Sequence, residues 1–289
     1  MRLKLSYPFD WQGLEDFQSY DYDSAGLPRV DYGGEEGLRY NPITIAQYGL
    51  HSLQLFGREE REEYRTRALA CAEWLAAQAR AYDQGMFAWI YDFSLPFYGP
   101  RAPWISAMAQ GEAVSLLVRC HVLEHRSDFL DLAHGAIRLL DLPVSEGGTL
   151  GRLSDGSPWF EEYPTEPASH VFNGHFFALL GAADWADHTD LPDAWQRCER
   201  GVASIEKNWR LWDRGYWTRY DLHPTNRLAS RMYQKVHVRL MRLLAFRTAR
   251  PVFYKAARRW QAMLYDPWCN LLWLAVKSRE KIRLRGYGQ

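Results

Sequence analysis

Acid–base chemistry is most strongly indicated where two carboxylates and a phenol stand side by side, at Glu161, Glu162 and Tyr163. Pro164 and Pro167 follow, and because proline lacks a backbone donor and fixes φ, one element must end here just before another begins. Carboxylates and phenols can exchange protons once burial or nearby charge has moved their pKa values. The alternative is an aromatic edge whose carboxylates lie in water or face a helix N-terminus.

A second set of candidate groups lies further along the chain. Tyr233 and His237 are four residues apart, so they share one face of a predicted helix. Arg231 is the neighbouring cation, and a solvated charged face is its simpler interpretation. For Tyr233 and His237 the simpler interpretation is a pair of satisfied polar groups in a helical core.

The elements that must position these groups recur along the chain. Apolar helices are predicted to begin at Pro42, at Pro103, near Ala168 and near Ser230, and each is followed by an amphipathic helix. The intervals from Pro42 to Pro103, from Pro103 to Pro167 and from Pro167 to Ser230 are 61, 64 and 63 residues. A helix pair cannot bury its apolar face alone, so such a repeat predicts a closed ring of pairs.

A short aromatic strand with a glycine turn follows each of the first three helix pairs. The turn glycines Gly85, Gly148 and Gly215 are 63 and 67 residues apart. We therefore expect the hairpins at one end of the ring, where the strand-end tyrosines rim one cleft; these are Tyr91, Tyr163 and Tyr220. The predicted fold class is mainly α: an (α/α) barrel of about four helix pairs over residues 41–289, with an irregular N-terminal arm over residues 1–40.

Composition limits the function classes. Hydrophobic residues make up 47% of the 289 residues and charged residues 24%, as in a globular protein with a sizeable core. The net charge of +0 argues against a general nucleic-acid binder, which needs a basic surface. Aromatic residues reach 15%, which suits a sugar-binding groove because flat rings cover sugar faces, although a ring-rich core is the alternative.

The four cysteines are far apart, and no Cys/His or HExxH spacing indicates a metal site, so we expect no metal and no cofactor. The sequence shows neither a signal-peptide pattern nor a run of roughly 18 apolar residues that could cross a membrane. We therefore expect no membrane partner and a cytoplasmic location.

Several segments together resemble the C-terminal catalytic domain of D-glucuronyl C5-epimerases. In family order they are Tyr40-Asn-Pro-Ile-Thr-Ile-Ala-Gln-Tyr-Gly-Leu, Trp104-Ile-Ser-Ala-Met-Ala-Gln-Gly, Trp159-Phe-Glu-Glu-Tyr-Pro-Thr-Glu-Pro, Val171-Phe-Asn-Gly, Tyr220-Asp-Leu and Tyr233-Gln-Lys-Val-His237. The resemblance covers roughly residues 40–250. The Glu-Glu-Tyr-Pro segment with its downstream Asn-Gly is the most specific part.

The resemblance implies an (α/α) barrel that inverts C5 of glucuronate in heparosan and heparan sulfate precursors. That reaction removes a proton α to a carboxylate and returns one to the opposite face, so it needs an acid and a base on opposite sides. By resemblance, Glu162 and Tyr163 match the catalytic pair, Tyr233 matches the opposing tyrosine, and Tyr220 matches a further active-site tyrosine. Which group acts on which face of the uronate stays open.

Eight further residues are predicted to bind substrate. His223 or Arg231 would neutralise the uronate carboxylate, and Asn173 and Gln110 would contact sugar hydroxyls. The others are the stacking candidates Trp104 and Trp159, the polar His237, and Glu161, which we expect to act mainly as a structural partner. The family usually has an arginine three residues after the tyrosine of Tyr-Asp-Leu, whereas this chain has His223 there.

Three functions remain as alternatives at this point: an epimerase acting on an acidic polysaccharide, a polysaccharide lyase on a similar toroid, and a non-catalytic glycan-binding protein. Animal members of the family carry a membrane anchor and β-rich domains ahead of the barrel. Because about 40 residues precede the barrel here, we expect that a homodimer could complete the groove.

Overall fold

The structure, a computed structural model, describes residues 3–95, 98 and 100–284, with side chains as far as Glu280. Nine α-helices lie within these residues. They are α1 (Pro42–Glu59), α2 (Glu62–Gln78), α3 (Ala107–Glu124), α4 (Ser127–Ile137), α5 (Phe172–Thr189), α6 (Pro192–Asn208), α7 (Arg231–Thr248), α8 (Pro251–Tyr265) and α9 (Pro267–Leu284).

The helices form the predicted (α/α) toroid. The inner helices are α1, α3, α5 and α7, and each packs against the outer helix that follows it in sequence. Burial explains the division, since α3 is buried from Ala107 through Cys120 and α5 from Phe172 through Ala186. Because both helices are buried on all sides, α3 and α5 pack side by side although α4 and residues 138–171 lie between them in sequence.

Glycine permits the close contact between α3 and α5. A Cβ added to Gly111 would lie 2.4 Å from the Cα of Ala178, and one added to Gly181 would lie 2.1 Å from the carbonyl oxygen of Gly111. Both distances are far below van der Waals contact, so a larger residue at either position would force the two helices apart.

Short antiparallel hairpins occupy the end of the toroid at which the inner helices begin. The pairs are β4 (Arg80–Tyr82) with β5 (Met86–Ala88), β6 (Ile90–Tyr91) with β7 (Trp104–Ile105), and β8 (Leu150–Arg152) with β9 (Pro158–Phe160). Each pair lies between an outer helix and the next inner helix. The hairpins therefore gather at one end of the ring, as the sequence predicted.

The predicted strand from Gly215 to Tyr220 is wrong. The structure has only isolated bridges there, between Asp213 and Thr218 and between Arg219 and Leu228. The reason is that the backbone N–H of Thr218 donates to the side-chain oxygen of Gln234 on α7, at 3.0 Å, instead of joining a strand ladder.

Two predicted helix starts are also wrong. The helix expected at Pro103 begins at Ala107, where the Ser106 side chain accepts a hydrogen bond from the N–H of Ala109. The helix expected near Ala168 begins at Phe172. In contrast, Pro42 is the first residue of α1, as predicted, because Asn41 caps the N–H of Ile43. A serine or asparagine cap thus marks the starts of α1 and α3, whereas α5 follows Val171 with no side-chain cap.

The N-terminal arm is more regular than its sequence suggested. It contains a three-stranded antiparallel sheet in the order β1 (Asp21–Tyr22), β2 (Pro28–Asp31) and β3 (Leu38–Arg39). The part of the arm that precedes this sheet contributes four aromatic side chains to the core formed by the helices: Tyr7, Phe9, Trp11 and Phe17.

The arm lies between α1 and α7. On one side, the amide of Gln54 in α1 donates to the carbonyl oxygens of Tyr7 and Phe9, both at 2.7 Å. On the other side, the guanidinium of Arg239 in α7 donates to the carbonyl oxygens of Asp10 and Gln12, at 2.5 and 2.9 Å. The arm thus forms part of the wall between the first and last inner helices.

Among the helices that the structure describes, none is both long and apolar enough to cross a membrane.

Candidate active site

Two adjoining cavities lie at the end of the toroid where the inner helices begin. The outer cavity has a volume of about 410 Å³, and its lining includes Asn41, Tyr91, Tyr98, Trp104, Tyr163, Tyr220, Arg227, Ser230, Tyr233 and Lys277. The inner cavity, of about 310 Å³, is lined by residues that include Glu15, Tyr20, Thr44, Gln47, Met108, Glu162, Tyr163, Asn173 and Tyr233. Tyr163 and Tyr233 belong to both, so the two cavities meet at these rings.

The adjacent carboxylates point in different directions, Glu161 towards the loop at His170 and Glu162 towards α5. Glu162 lies against α5 at Gly174, where an added Cβ would be 2.4 Å from its Cβ and 2.5 Å from Oε2. Only glycine therefore leaves room for this carboxylate beside the inner cavity.

Glu161 serves the loop that follows it. One of its carboxylate oxygens accepts from the backbone N–H of His170 at 3.0 Å, and the other is 2.5 Å from the Nδ1 atom of the same ring. The hydroxyl of Ser169 donates to it at 3.4 Å. Glu161 thus holds residues 163–170 against β9, as the predicted structural partner would.

The carboxyl of Glu162 is prepared for proton transfer near neutral pH. Burial raises the pKa of Glu162 to about 7, the negative charges of Asp221 and Glu161 add to the increase, and a hydrogen bond from Tyr163 opposes it. Its Oε2 atom has no hydrogen-bond partner among the described residues. A buried carboxylate with an open oxygen is a good general base for a bound C–H acid.

Two tyrosines form the other half of the site. The rings of Tyr220 and Tyr233 meet edge to face with centroids 4.6 Å apart. Burial raises the pKa of Tyr233 to about 12, the charge of Glu162 adds to this, and a hydrogen bond from the Tyr220 hydroxyl opposes it. Tyr233 is therefore protonated at neutral pH, and the hydroxyl of Tyr220 is placed to stabilise its phenolate.

The three tyrosines that were predicted at strand ends meet at one cleft, since Tyr91, Tyr163 and Tyr220 all line the outer cavity. Only Tyr91 ends a strand, because Tyr163 lies beyond β9 and Tyr220 lies in a loop. Tyr163 stacks on Tyr98 with a centroid distance of 4.5 Å. Trp104, a predicted stacking residue, also lines this cavity, and its other contacts are a ring stack with Tyr91 at 4.0 Å and a hydrogen bond to the carbonyl of Phe93.

Arg227 is the cation that the sequence reasoning missed. Its guanidinium carbon lies 4.5 Å from the ring centroid of Tyr98 and 4.9 Å from that of Tyr220, and it donates to Asp221 at 2.8 and 3.1 Å. Burial lowers the pKa of Arg227 to about 10, so it stays charged at neutral pH.

A signal for Arg227 was present in the sequence, because an arginine four residues after His223 lies in the same loop. No pattern in the sequence indicated Lys277, the other cation that lines the outer cavity. It arrives from α9 at the end of the chain, where its Nζ pairs with Glu280 at 2.7 Å.

Besides Glu161, three of the predicted substrate-binding residues are in the core and line neither cavity. The indole of Trp159 is stacked between His175, at 3.9 Å, and Trp212, at 4.4 Å. The amide of Gln110 bonds to the backbone N–H and carbonyl of Trp89.

His237 is the third of these residues. Its Nδ1 lies 2.9 Å from the Thr218 hydroxyl, and burial lowers its pKa to about 3, so the ring is neutral. Together with Gln234, it ties the loop that carries Tyr220 to the helix that carries Tyr233.

The remaining predicted residues divide between cavity and surface. Asn173 lines the inner cavity, and its Oδ1 has no partner among the described residues. Arg231 is exposed and donates to Asn270 of α9. His223 is half-buried beside Tyr98 and bonds to Thr225, outside the lining of either cavity.

Within the described part of the chain, no group of three or more His, Cys, Asp or Glu side chains could hold a metal ion.

Comparisons with known proteins agree with the resemblance. The family model described as D-glucuronyl C5-epimerase C-terminus matches residues 82–262. A D-glucuronyl C5-epimerase of Caenorhabditis elegans is 31% identical over 226 residues, which is 72% of this chain but only 36% of that protein. This chain therefore spans about a third of the length of that relative.

Among solved structures, the cellobiose 2-epimerase of Bacillus thermoamylovorans B4167 superposes with a TM-score of 0.51 at 14% sequence identity. The match covers 88% of this chain and 66% of that one. At that identity the likeness concerns the fold alone, and it agrees with an (α/α) toroid.

Proposed function

Because this chain belongs to the D-glucuronyl C5-epimerase family, we propose that it inverts C5 of glucuronate residues in a heparosan-like polysaccharide. The single observation that carries the proposal is the meeting of Glu162 and Tyr233 at one cavity. Glu162 has a pKa near neutrality and an open oxygen, whereas Tyr233 keeps its proton at neutral pH. This is the base and acid pair that a two-sided proton exchange needs.

In the direction from glucuronate to iduronate, the Glu162 carboxylate removes the C5 proton, and the C–H electrons pass into an enolate of the uronate carboxylate. The Tyr233 hydroxyl then delivers its proton to the other face of C5. Tyr220 stabilises the phenolate that remains, and the reverse reaction exchanges the two roles. Tyr163, hydrogen-bonded to Glu162, orients that carboxyl.

Arg227 neutralises the uronate carboxylate in this proposal, with Lys277 as the second cation of the outer cavity. Neutralisation matters because the enolate carries an additional negative charge beside the carboxylate. The cavity also lies at helix starts: Asn41 caps α1 and Ser230 caps α7, so the positive ends of two helix dipoles face an anionic sugar.

The test is to incubate the protein with heparosan in D2O and to follow deuterium at C5 by NMR and mass spectrometry. The wild-type protein should incorporate deuterium and produce iduronate. Tyr233→Phe should abolish both. The matched control is Tyr254→Phe, which removes a phenolic hydroxyl from an exposed ring on α8 and should leave both unchanged.

The same incubation distinguishes the alternative functions. A lyase would form an unsaturated uronate, visible as a rise in ultraviolet absorbance while the polymer shortens. A binding protein would retain polymer without any exchange at C5. Either result would contradict the epimerase proposal, whereas iduronate formation that persists in Tyr233→Phe would remove Tyr233 from the proposed acid–base pair.

A further inference from the structure

One turnover of the proposed epimerase leaves its two proton-transfer groups in exchanged states. After glucuronate becomes iduronate, Glu162 carries the proton it removed and Tyr233 has lost its own. A second turnover in the same direction requires Tyr233 to regain a proton and Glu162 to release one. Since both side chains are buried, exchange of these protons with solvent needs a route.

The inner cavity offers such a route through the N-terminal arm. Its lining places Tyr233 and Glu162 together with Tyr20 and Glu15 of the arm and Thr44 of α1. The hydroxyl of Tyr20 donates to Glu15 at 2.9 Å, and Thr44 donates to the oxygen of Tyr20. Glu15 is half-buried, so this carboxylate touches both the cavity and solvent.

The cavity is large enough for the remaining links. A water molecule takes about 30 Å³ in the liquid, so a volume of about 310 Å³ holds several. Its wall has polar atoms that water would satisfy, since Oδ1 of Asn173 and Oε2 of Glu162 have no partners among the described residues. A row of waters can thus join the Tyr20 hydroxyl to both proton-transfer groups.

We propose that Glu15 and Tyr20 form a proton relay that restores Tyr233 and Glu162 between turnovers. This inference rests on the proposed epimerase function. A proton from solvent binds Glu15; Tyr20 passes its own proton to the cavity water and takes the one from Glu15; the last water protonates the Tyr233 oxygen. Glu162 returns its proton to solvent through the same water. Only O–H bonds form and break, and the net proton count is zero.

Electrostatics agree with this arrangement, because the negative charge of Glu15 contributes to the raised pKa of Tyr233, and Tyr233 in turn contributes to that of Tyr20. The two ends of the relay therefore lie within electrostatic reach of each other. Neither arm residue lines the outer cavity, which holds the two cations proposed to neutralise the uronate carboxylate.

The test compares Tyr20→Phe and Glu15→Gln with the wild-type protein on heparosan, in buffers of low and high imidazole concentration. Restoration of the free enzyme limits kcat at high substrate but does not enter kcat/KM. We expect kcat to fall roughly tenfold or more in both variants, with kcat/KM unchanged. Imidazole, a small acid–base pair that can enter the cavity, should restore kcat.

The matched control is Tyr22→Phe, which removes another arm hydroxyl; that hydroxyl donates to the carbonyl of Phe17 and lines neither cavity. It should leave kcat, kcat/KM and the imidazole response unchanged. The relay is contradicted if the two variants keep wild-type kcat, or if kcat and kcat/KM fall together without an imidazole response, because that is the result of a structural role. A wild-type protein that exchanges no C5 hydrogen would instead contradict the epimerase proposal itself.

Discussion

Buried carboxylates at the two ends of the toroid differ in whether the protein supplies them with partners. At the end with the cavities, Glu162 is buried with an open oxygen and a pKa raised to about 7. Deeper along the same inner helices, Asp184 of α5 is equally buried, yet the guanidinium of Arg119 donates to both of its oxygens, at 2.5 and 3.0 Å, and Ser115 donates to one of them at 2.7 Å.

The difference teaches which buried carboxylates serve chemistry. Partners within the protein occupy both oxygens of Asp184, so its role is to stabilise the packing of α3 against α5. Glu162 is hydrogen-bonded to Tyr163, but its Oε2 atom has no partner among the described residues. The fold therefore bears an energetic cost at the place where substrate would supply that partner. One carboxylate should matter for rate and the other for stability.

Replacing the open carboxylate should have the largest effect. Glu162→Gln keeps the shape of the side chain but cannot accept a proton, so we expect C5 exchange to fall by about a hundredfold to ten-thousandfold. Deuterium incorporation from D2O measures it. Glu124→Gln, which removes a carboxylate paired with Arg65 at the far end, is the control and should exchange at the normal rate. If the exchange rate fell equally in Glu162→Gln and Glu124→Gln, the two ends of the toroid would not differ in their importance for catalysis.

Replacing the paired carboxylate of Asp184 should lower stability and leave the exchange rate nearly unchanged. Asp184→Asn leaves the Arg119 guanidinium buried without its counter-charge, and breaking such a pair costs about 3–5 kcal/mol. We expect the free energy of unfolding to fall by that amount in urea titrations, while the exchange rate per folded molecule stays near the wild-type value. An unchanged stability would show that the pair is dispensable.

The pH dependence of stability should sharpen the contrast. The folded-state pKa of Glu162, about 7, lies above its ordinary value of 4.5. As pH rises between these values, the unfolded chain releases the proton first, so this carboxyl progressively destabilises the fold, by up to roughly 3 kcal/mol above pH 7. Glu162→Gln should remove that loss. Urea titrations of both proteins at several pH values would test it; parallel curves would contradict the raised pKa.

The smallest effect is expected from Arg227→Lys. Lysine keeps the positive charge but loses the planar fork that can contact Asp221 and a sugar carboxylate together. We expect KM for heparosan to rise roughly tenfold, with a smaller change in kcat. The exposed Arg231→Lys is the matched control and should change neither constant. A rise in KM for Arg231→Lys alone would return the carboxylate contact to Arg231, one of the two residues that the sequence suggested.

The sequence predicted what depends on local pattern. The recurring interval of helix pairs indicated the toroid. The same repeat placed Tyr91, Tyr163 and Tyr220 at one cleft, and all three do line the outer cavity, although the strand expected before Tyr220 is absent from the described residues. The helix starts at Pro103 and Ala168 were wrong because proline is also compatible with the extended chain before a helix.

The site residues that the sequence misassigned or missed are those whose position depends on contacts between distant segments. Trp159 is a ring of the same type as Trp104, but His175 and Trp212 cover both its faces, and no local pattern reveals that. Lys277 reaches the outer cavity only because α9 returns across the toroid. Whether the chain forms a homodimer stays a prediction.

Gly174 carries a consequence for recognising related proteins. Because any side chain at this position would collide with the carboxyl of Glu162, the absence of a single carbon atom is a requirement for seating the proposed base. A homologous sequence that keeps the Glu-Glu-Tyr-Pro segment but has alanine or serine after the downstream asparagine should retain the barrel and lose turnover. This one position can therefore separate working enzymes from inactive descendants when new genomes are surveyed.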